Sequence, residues 1–313
     1  MGKKEFTIPT YDPRMLESNL FRTWGEVFQP HIHDFSMIFH INRIEDFMRM
    51  IKIPPETSTH PFRLTVFQFL FLTAGRCIRS KGLTRYEFGR DTFFIVPAYE
   101  ITSNEFMSDD ARGYFCYFKL DLLLFDSKVK DLLSDFSFLN FNSNPIIPVS
   151  GKARDMMVIL ANRLETEYMK GKDCRLEVLK SYLLALFVEL SPFAEKNASL
   201  HDDADYRIAE QFRKDLTQHI YEYQKAEDYA RMLKITSGRL NKCVKNITGK
   251  RVNELIQDMI LLESKVLLKQ TSLSISEITY KLGQKHVSNF VRLFKLKTGM
   301  SPGEYRSTLK TGI

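Results

Sequence analysis

The chain has 313 residues, 44% of them apolar and 27% charged, a length that favours two domains over one and a balance that excludes collagen-like, low-complexity and disulfide-knot classes. The formal charge of +7 is unevenly divided: residues 229–313 hold 16 Lys and Arg against 5 Asp and Glu, a net +11, while residues 1–228 hold 29 against 33, a net −4. A basic carboxyl-terminal module on a slightly acidic chain is the electrostatic footprint of a polyphosphate-binding end, or else a solvated basic face.

The opening MGKKEFTIPT lacks the apolar core of a secretory signal, and Phe6 stands where an N-myristoylation motif needs Ser or Thr. No apolar run approaches the roughly 18 residues of a membrane span. A cytoplasmic location without a membrane partner is therefore expected. Cys77, Cys116, Cys174 and Cys243 are scattered without CxxC pairing, which fits a reducing compartment and small apolar roles.

Residues 62–120 read as strands: FRLTVFQFLFLTAG, CIRSKGLTRYEFG, DTFFIVPAYEITS and GYFCYFKLDL are rich in β-branched and aromatic residues and broken by Gly and Pro. They predict a small antiparallel barrel or sandwich. After Pro148 the period changes. Residues 152–170 and 173–191 place apolar side chains three and four apart on two helices split by Gly171, which would cover the strands or form a subunit interface. Residues 192–204, PFAEKNASLHDDA, read as a linker. The domain division is thus 1–195, a linker at 196–204, and a helical domain at 205–313.

The helical end contains a repeat. ARMLKITSGRLNKCVKNITG (230–249) aligns with TYKLGQKHVSNFVRLFKLKTG (279–299): Val244-Lys245 matches Phe294-Lys295 and Thr248-Gly249 matches Thr298-Gly299 at an offset of 50, while Leu233 matches Leu282 at 49. One extra residue therefore lies in the second turn. Each copy predicts a helix-turn-helix, at about 223–245 and 274–297. Between them, residues 252–270 form a helix about 28 Å long at 1.5 Å per residue, near the roughly 34 Å rise of one DNA turn. Ser274-Ile275-Ser276-Glu277 is a capping box, Gly283 ends the short helix that follows, and Thr236 is placed to cap the first recognition helix.

The run SISEITYKLGQKHVSNFVRLFKLKTGMSPGEYR (274–306) resembles the second helix-turn-helix of the AraC/XylS family of bacterial transcription regulators. Ile278, Leu282, Gly283, Ser288, Phe290, Arg292, Phe294, Lys295, Gly299, Ser301, Pro302, Tyr305 and Arg306 stand where that pattern wants them. The resemblance covers about 205–310, more weakly in the first unit, through Ala230, Leu233, Leu240, Lys245 and Gly249. Departures are Thr279 for Ala, Gln284 for Phe, Lys285 for a capping Ser, Lys234 for a turn Gly and Val244 for Phe.

Carried over position by position, the resemblance implies base-facing sites at Ser237, Gly238, Asn241 and Lys242, with Arg239 adjacent, in the first recognition helix. In the second it implies His286, Val287, Asn289 and Arg292, flanked by Lys285 and Ser288. Arg292 suits guanine O6/N7, and Asn241 or Asn289 suits adenine N6/N7, each good pair worth about 1–3 kcal/mol of discrimination. Arg292 also fits an ion pair with Glu277, and His286 fits a surface bystander. Lys245, Lys250, Arg251, Lys295 and Lys297 read as phosphate contacts. Phe290, Phe294 and Leu240 read as core, and Lys281 and Lys310 as solvated.

Regulators resembling this chain commonly carry a cupin-like β-barrel that binds a small effector, with helices that dimerise. The fold class expected is therefore α+β: a cupin-like barrel with two dimerisation-type helices, then an all-α domain of two helix-turn-helix units joined by a long helix. Gln68, Arg85, Tyr86, Tyr99, Thr102 and Ser103 are candidate effector contacts or satisfied barrel residues, and Phe-rich walls favour an amphiphilic or aromatic ligand. Gly25 with His31 and His33 imitates a metal-cupin opening, but Met37 and Ile38 stand near where its Glu is required, so neither metal nor cofactor is expected. There is no GxSxG, Walker loop, GxGxxG or HExxH, and no enzymatic activity is expected.

The reading is a sequence-specific regulator of double-stranded promoter DNA. It would be homodimeric and controlled by a small molecule that changes dimer geometry or domain docking, and would contact RNA polymerase if an activator. The alternatives are a cupin-type metal enzyme with a DNA-binding appendage and a ligand-independent architectural DNA binder.

Overall fold

The computed structural model describes residues 10–12, 38–51, 61–82, 84–123, 135–140, 143–194 and 203–310. The chain divides into two compact units, Thr10–Asp203 and one that contains Ala204–Ile313. Gly25, His31 and His33 lie outside the described residues, as does most of the expected linker.

The first unit holds β1 (Thr10–Tyr11), β2 (Phe39–Arg43), α1 (Ile44–Ile51), β3 (Phe62–Leu64), β4 (Phe67–Ala74), β5 (Arg76–Lys81), β6 (Thr84–Gly89), β7 (Thr92–Val96), β8 (Ile101–Met107), β9 (Arg112–Phe118) and β10 (Ile146–Pro148), followed by α2 (Gly151–Tyr168) and α3 (Leu176–Leu190). The strands make two five-stranded sheets, β1-β3-β8-β5-β6 and β10-β7-β4-β9-β2. This corrects the expected closed barrel: among the described residues no strand pairing joins the two sheets. Closure is a property of edge strands, and β1 and β10, of two and three residues, are too short to signal in the sequence. The chain passes from one sheet to the other between β4 and β5 through Gly75 at φ 80, where a Cβ would come within 2.6 Å of the Ala111 backbone. Only glycine fits that crossing.

The run Phe69–Leu72 is apolar on both faces because its sheet is buried on both. On one side Leu70, Leu72, Phe94 and Val96 meet Cys77 and Phe88 of the other sheet, with the Phe88 and Phe94 rings stacked at 5.0 Å. On the other side Phe69 and Phe118 face Phe187 of α3, and Phe39 meets Tyr168 of α2 edge-on. Each buried ring contributes on the order of 2–3 kcal/mol. The two helices bury Met157, Ala161, Leu164 and Tyr168, and Leu179, Leu183, Leu186 and Leu190, the three-and-four spacing read from the sequence. Glu167 ties their junction, accepting from Lys170 Nζ (2.5 Å) and from the Arg175 backbone (3.0 Å). All four cysteines are free and buried.

The second unit is helical: α4 (Asp203–His219), α5 (Ala226–Met232), α6 (Ser237–Thr248), α7 (Val252–Gln270), α8 (Ile275–Lys281), α9 (Val287–Thr298) and α10 (Pro302–Lys310). Among the described residues no helix is long and apolar enough to cross a membrane.

Candidate nucleic-acid interface

The duplication extends to individual hydrogen bonds. After α5 the amides of Lys234 and Ile235 bond to the carbonyls of Arg231 (3.1 Å) and Ala230 (3.0 Å); after α8 those of Gly283 and Gln284 bond to Tyr280 (2.9 Å) and Thr279 (3.0 Å). The turn residue has positive φ in both, 56° at Lys234 and 67° at Gly283. A glycine is needed at the second site for space as well, since a Cβ there would stand 2.8 Å from the Tyr221 carbonyl oxygen. The recognition helices α6 and α9 end alike: Thr248 and Thr298 donate to Val244 (2.7 Å) and Phe294 (2.8 Å), and Gly249 and Gly299 follow at φ 71° and 81°. The helices after them open alike, with Arg251 and Ser301 donating their backbone N–H to Glu254 and Glu304, each at 2.6 Å. The extra residue lies in the second turn, which runs from 282 to 286 where the first runs from 233 to 236.

The caps are those expected for α8 and α6. Ser274 and Glu277 close a reciprocal box (2.7 and 3.2 Å), and Thr236 accepts from the Arg239 amide at 3.2 Å. The start of α9 differs, because His286 at its N-cap makes no side-chain capping bond. Gln284, where the resembling pattern has Phe, donates instead to Gln224, whose own amide donates to the Leu282 carbonyl. Buried Thr279 turns its hydroxyl onto the Ile275 carbonyl at 2.7 Å.

Burial divides each recognition helix into a core face and an open face. Leu240, Cys243, Val244 and Ile247 of α6 and Phe290 and Phe294 of α9 are buried. Gly238 and Lys242 are exposed and Ser237 half-exposed. Arg239 instead pairs with buried Asp205 of α4 at 2.7 Å. Burial alone would raise the Asp205 pKa; hydrogen bonds from Cys243 and Asn246 and the charges of Arg239 and Lys242 outweigh it and hold the carboxyl below its usual range. The Cys243 thiol, pushed up to about 11 by its own burial and by Asp205, stays protonated as donor. Asn241 is engaged at both ends of its amide, donating to the Ser237 carbonyl (3.0 Å) and accepting from the Val252 amide (3.2 Å).

On α9 and the turn before it, Lys285, His286, Ser288, Asn289 and Arg292 are exposed and Val287 half-exposed. Glu277 caps α8, and among the described residues Arg292 has no ion-pair partner. Of the five expected phosphate contacts, Lys245, Arg251 and Lys295 are exposed. Lys250 and Lys297 both reach the single carboxylate of Asp258 on α7, at 2.7 and 3.0 Å.

Two grooves run along this face. One of about 620 Å³ is lined by Asn241, Lys242, Lys245, Arg251, Asn253 and Glu254; one of about 720 Å³ includes Asn253, Gln257, Asn289 and Arg292 in its lining. Asn253 lines both. With Gln257 one turn on, it marks an exposed polar stripe of α7 between the recognition helices that the sequence reading missed; the signal was the i, i+4 spacing of two amides at the start of the long helix.

The candidate effector contacts separate by strand parity. Gln68 and Tyr86 face the space between the sheets, Gln68 at 1% exposure and Tyr86 against the Phe94 ring at 5.7 Å. Thr102 is buried, its hydroxyl on the Ser80 carbonyl at 2.7 Å. Arg85 lies on the opposite face in an exposed pair with Glu105 (2.9 Å), and Ser103 stands across from Ser80 with hydroxyls 2.7 Å apart. Tyr99 is in the turn before β8 at φ 61°, its amide on Leu64.

Residues 229–308 match the family model described as a helix-turn-helix domain. Among solved structures the chain is similar to ToxT of Vibrio cholerae with an unsaturated fatty acid bound (15% identity, 86% of this chain and 95% of that one, TM-score 0.42). It is also similar to the C-terminal domain of AraT, a response regulator of Geobacillus stearothermophilus (26%, 32% and 84%, TM-score 0.31), and to an AraC-type regulator of Chromobacterium violaceum (19%, 34% and 96%, TM-score 0.32). No curated protein sequence matches the chain.

Proposed function

We propose, from the premise that the chain is an AraC-type DNA-binding transcription regulator and not an enzyme by its helix-turn-helix domain at residues 229–308, that both helix-turn-helix units read promoter DNA while the N-terminal half senses a small molecule. The observation that carries this reading is the duplicated unit joined by α7, the first copy turning Lys242 and Lys245 and the second Asn289, Arg292 and Lys295 outward from a buried apolar seam. Lys242, Asn289 and Arg292 read base edges; Lys245, Arg251 and Lys295 set register on phosphates. Arg239 and Asn241 support α6 from behind.

The N-terminal half, residues 1–195, acts as a cupin-like sensory and dimerisation domain joined through 196–204 to the DNA-binding domain at 205–313. Exposed Met156 and Ile159 on α2, Met169 just beyond it and Val188 on α3 supply apolar surface suited to a second copy. A bound effector shifts the population between dimer states of unequal promoter affinity, and an activating state would engage RNA polymerase. The chain acts in the cytoplasm.

The test compares binding to selected genomic fragments and to random duplex at physiological salt. A ratio of at least about 10³ is expected of a specific reader, and a far smaller ratio marks an architectural binder. Arg292→Ala should relax preference at one base pair by about 1–3 kcal/mol; uniform weakening across sequences assigns Arg292 to a phosphate instead.

A further inference from the structure

Asp205 lies in the first turn of α4 with its side chain 6% exposed. Its carboxylate takes three donors from α6: Arg239 Nη2 at 2.7 Å and Cys243 Sγ at 3.1 Å on Oδ1, and Asn246 Nδ2 at 2.9 Å on Oδ2. Residues 239, 243 and 246 fall on one face of a helix, each about a turn from the next. One carboxylate therefore grips two turns of the first recognition helix. The positive end of α4 favours a negative charge there, and a buried carboxylate that lost its cation would be left uncompensated, which keeps the grip closed.

The grip also decides where a cation stands. Arg239 is three residues from exposed Lys242, a spacing that sets the two side chains next to each other on the helix. Beside it Gly238 is exposed, and among the described residues a Cβ there would meet nothing within 4 Å. Released from Asp205, the guanidinium would have both the room and the reach to meet a phosphate. We propose that Asp205 is a specificity-determining positioning residue: it seats α6 against α4 and holds the Arg239 guanidinium off the duplex, so that the first unit reads base edges through Lys242 without adding a sequence-blind phosphate contact. The inference rests on the DNA reading proposed above, and Asp205 acts through α6 without touching a base.

The test uses the full chain on a fragment it selects from genomic DNA, on single base-pair variants of that fragment beneath each unit, and on random duplex, between about 50 and 200 mM salt. Asp205→Asn should steepen the log–log salt slope by about 1, the mark of one added phosphate, and tighten binding to random duplex. Discrimination at the base pairs beneath α6 should fall by at least about 5-fold, while that beneath α9 holds. The double variant Asp205→Asn/Arg239→Met leaves no buried charge unpaired, and so stands in where the single variant does not fold. It should show the wild-type slope. A merely structural role for Asp205 would weaken every duplex at unchanged slope, and that result overturns the proposal. So does a steepened slope that persists in the double variant, because loss of a negative charge alone then explains it. A double-variant slope below wild type overturns it too, because Arg239 then already touches a phosphate.

Lys245→Ala separates these failures from failure of the DNA reading. Where that variant lowers the wild-type slope by about 1, any of the contrary results above removes the Asp205 inference alone. A wild-type chain that binds the selected fragment no better than random duplex removes the DNA reading and this inference together.

Discussion

Lys234 occupies a backbone conformation that suits glycine, with φ at 56°, and its exposed side chain makes no hydrogen bond or ion pair among the described residues that would compensate. A left-handed non-glycine residue costs roughly 1–2 kcal/mol, and a glycine returns part of that through the entropy of the unfolded chain. Lys234→Gly should therefore stabilise the domain by about 0.5–1 kcal/mol, seen as a higher urea midpoint at unchanged slope; a lower midpoint would show that the strain is absent. Asp258 makes the opposite kind of statement. It holds two lysines, one from the end of each helix-turn-helix unit, in partly exposed pairs worth little to stability. Asp258→Asn should free both for phosphate, tighten DNA binding at low salt and steepen the salt dependence by about 1–2 in log–log slope. An unchanged slope would mean that neither lysine faces the duplex.

The same scale shows where reading the sequence stops. Basic residues in CIRSKGLTRYEFG are visible, but which of them turns inward depends on strand parity and a register shift between Ile78 and Arg79. Arg85, the contact expected from the sequence, is outside with Glu105; Arg79, across from Tyr86, is inside. Asn241 shows the same difficulty on a helix. Its position is base-facing in the resembling pattern, yet its amide is spent on Ser237 and Val252, a contact that only the packed start of α7 creates.

Elements were more legible because their signals are local. The capping box at Ser274, the glycine ends of α6 and α9 and the extra residue in the second turn all follow from side-chain and backbone chemistry within a few residues. Sheet closure did not, since it depends on pairings between segments far apart in the chain and on strands as short as β1 and β10. The junction of α2 and α3 gives a prediction at this scale. Burial raises the pKa of Glu167, but Lys170 and Arg175 override it and bring the carboxyl from 4.5 down to about 2. A depressed folded-state pKa contributes stability that is present above the unfolded value and is lost as pH falls through the folded one. Glu167→Gln should thus be less stable than wild type at neutral pH by about 1–3 kcal/mol, and denaturant titrations should find that difference shrinking between about pH 5 and pH 2. A gap constant over that range would assign Glu167 a purely steric role.

For the whole molecule, the uneven division of charge acquires a physical meaning. Of the basic residues behind the net +11 over residues 229–313, Lys242, Lys245, Lys285, Arg292 and Lys295 are exposed on α6, α9 and the turn before α9, on either side of the polar stripe of α7. α7 has 19 residues, a length of about 28 Å at 1.5 Å per residue, and the proposed function sets the two heads on this brace against one side of a duplex. The most direct measurement is guanine methylation protection on a fragment selected from genomic DNA, with bound and free DNA separated before cleavage. Two protected segments should appear on one face of the helix, centred about 10–10.5 base pairs apart, with Lys242→Ala fading one and Arg292→Ala the other. A single protected segment insensitive to one of these substitutions would contradict the paired reading head.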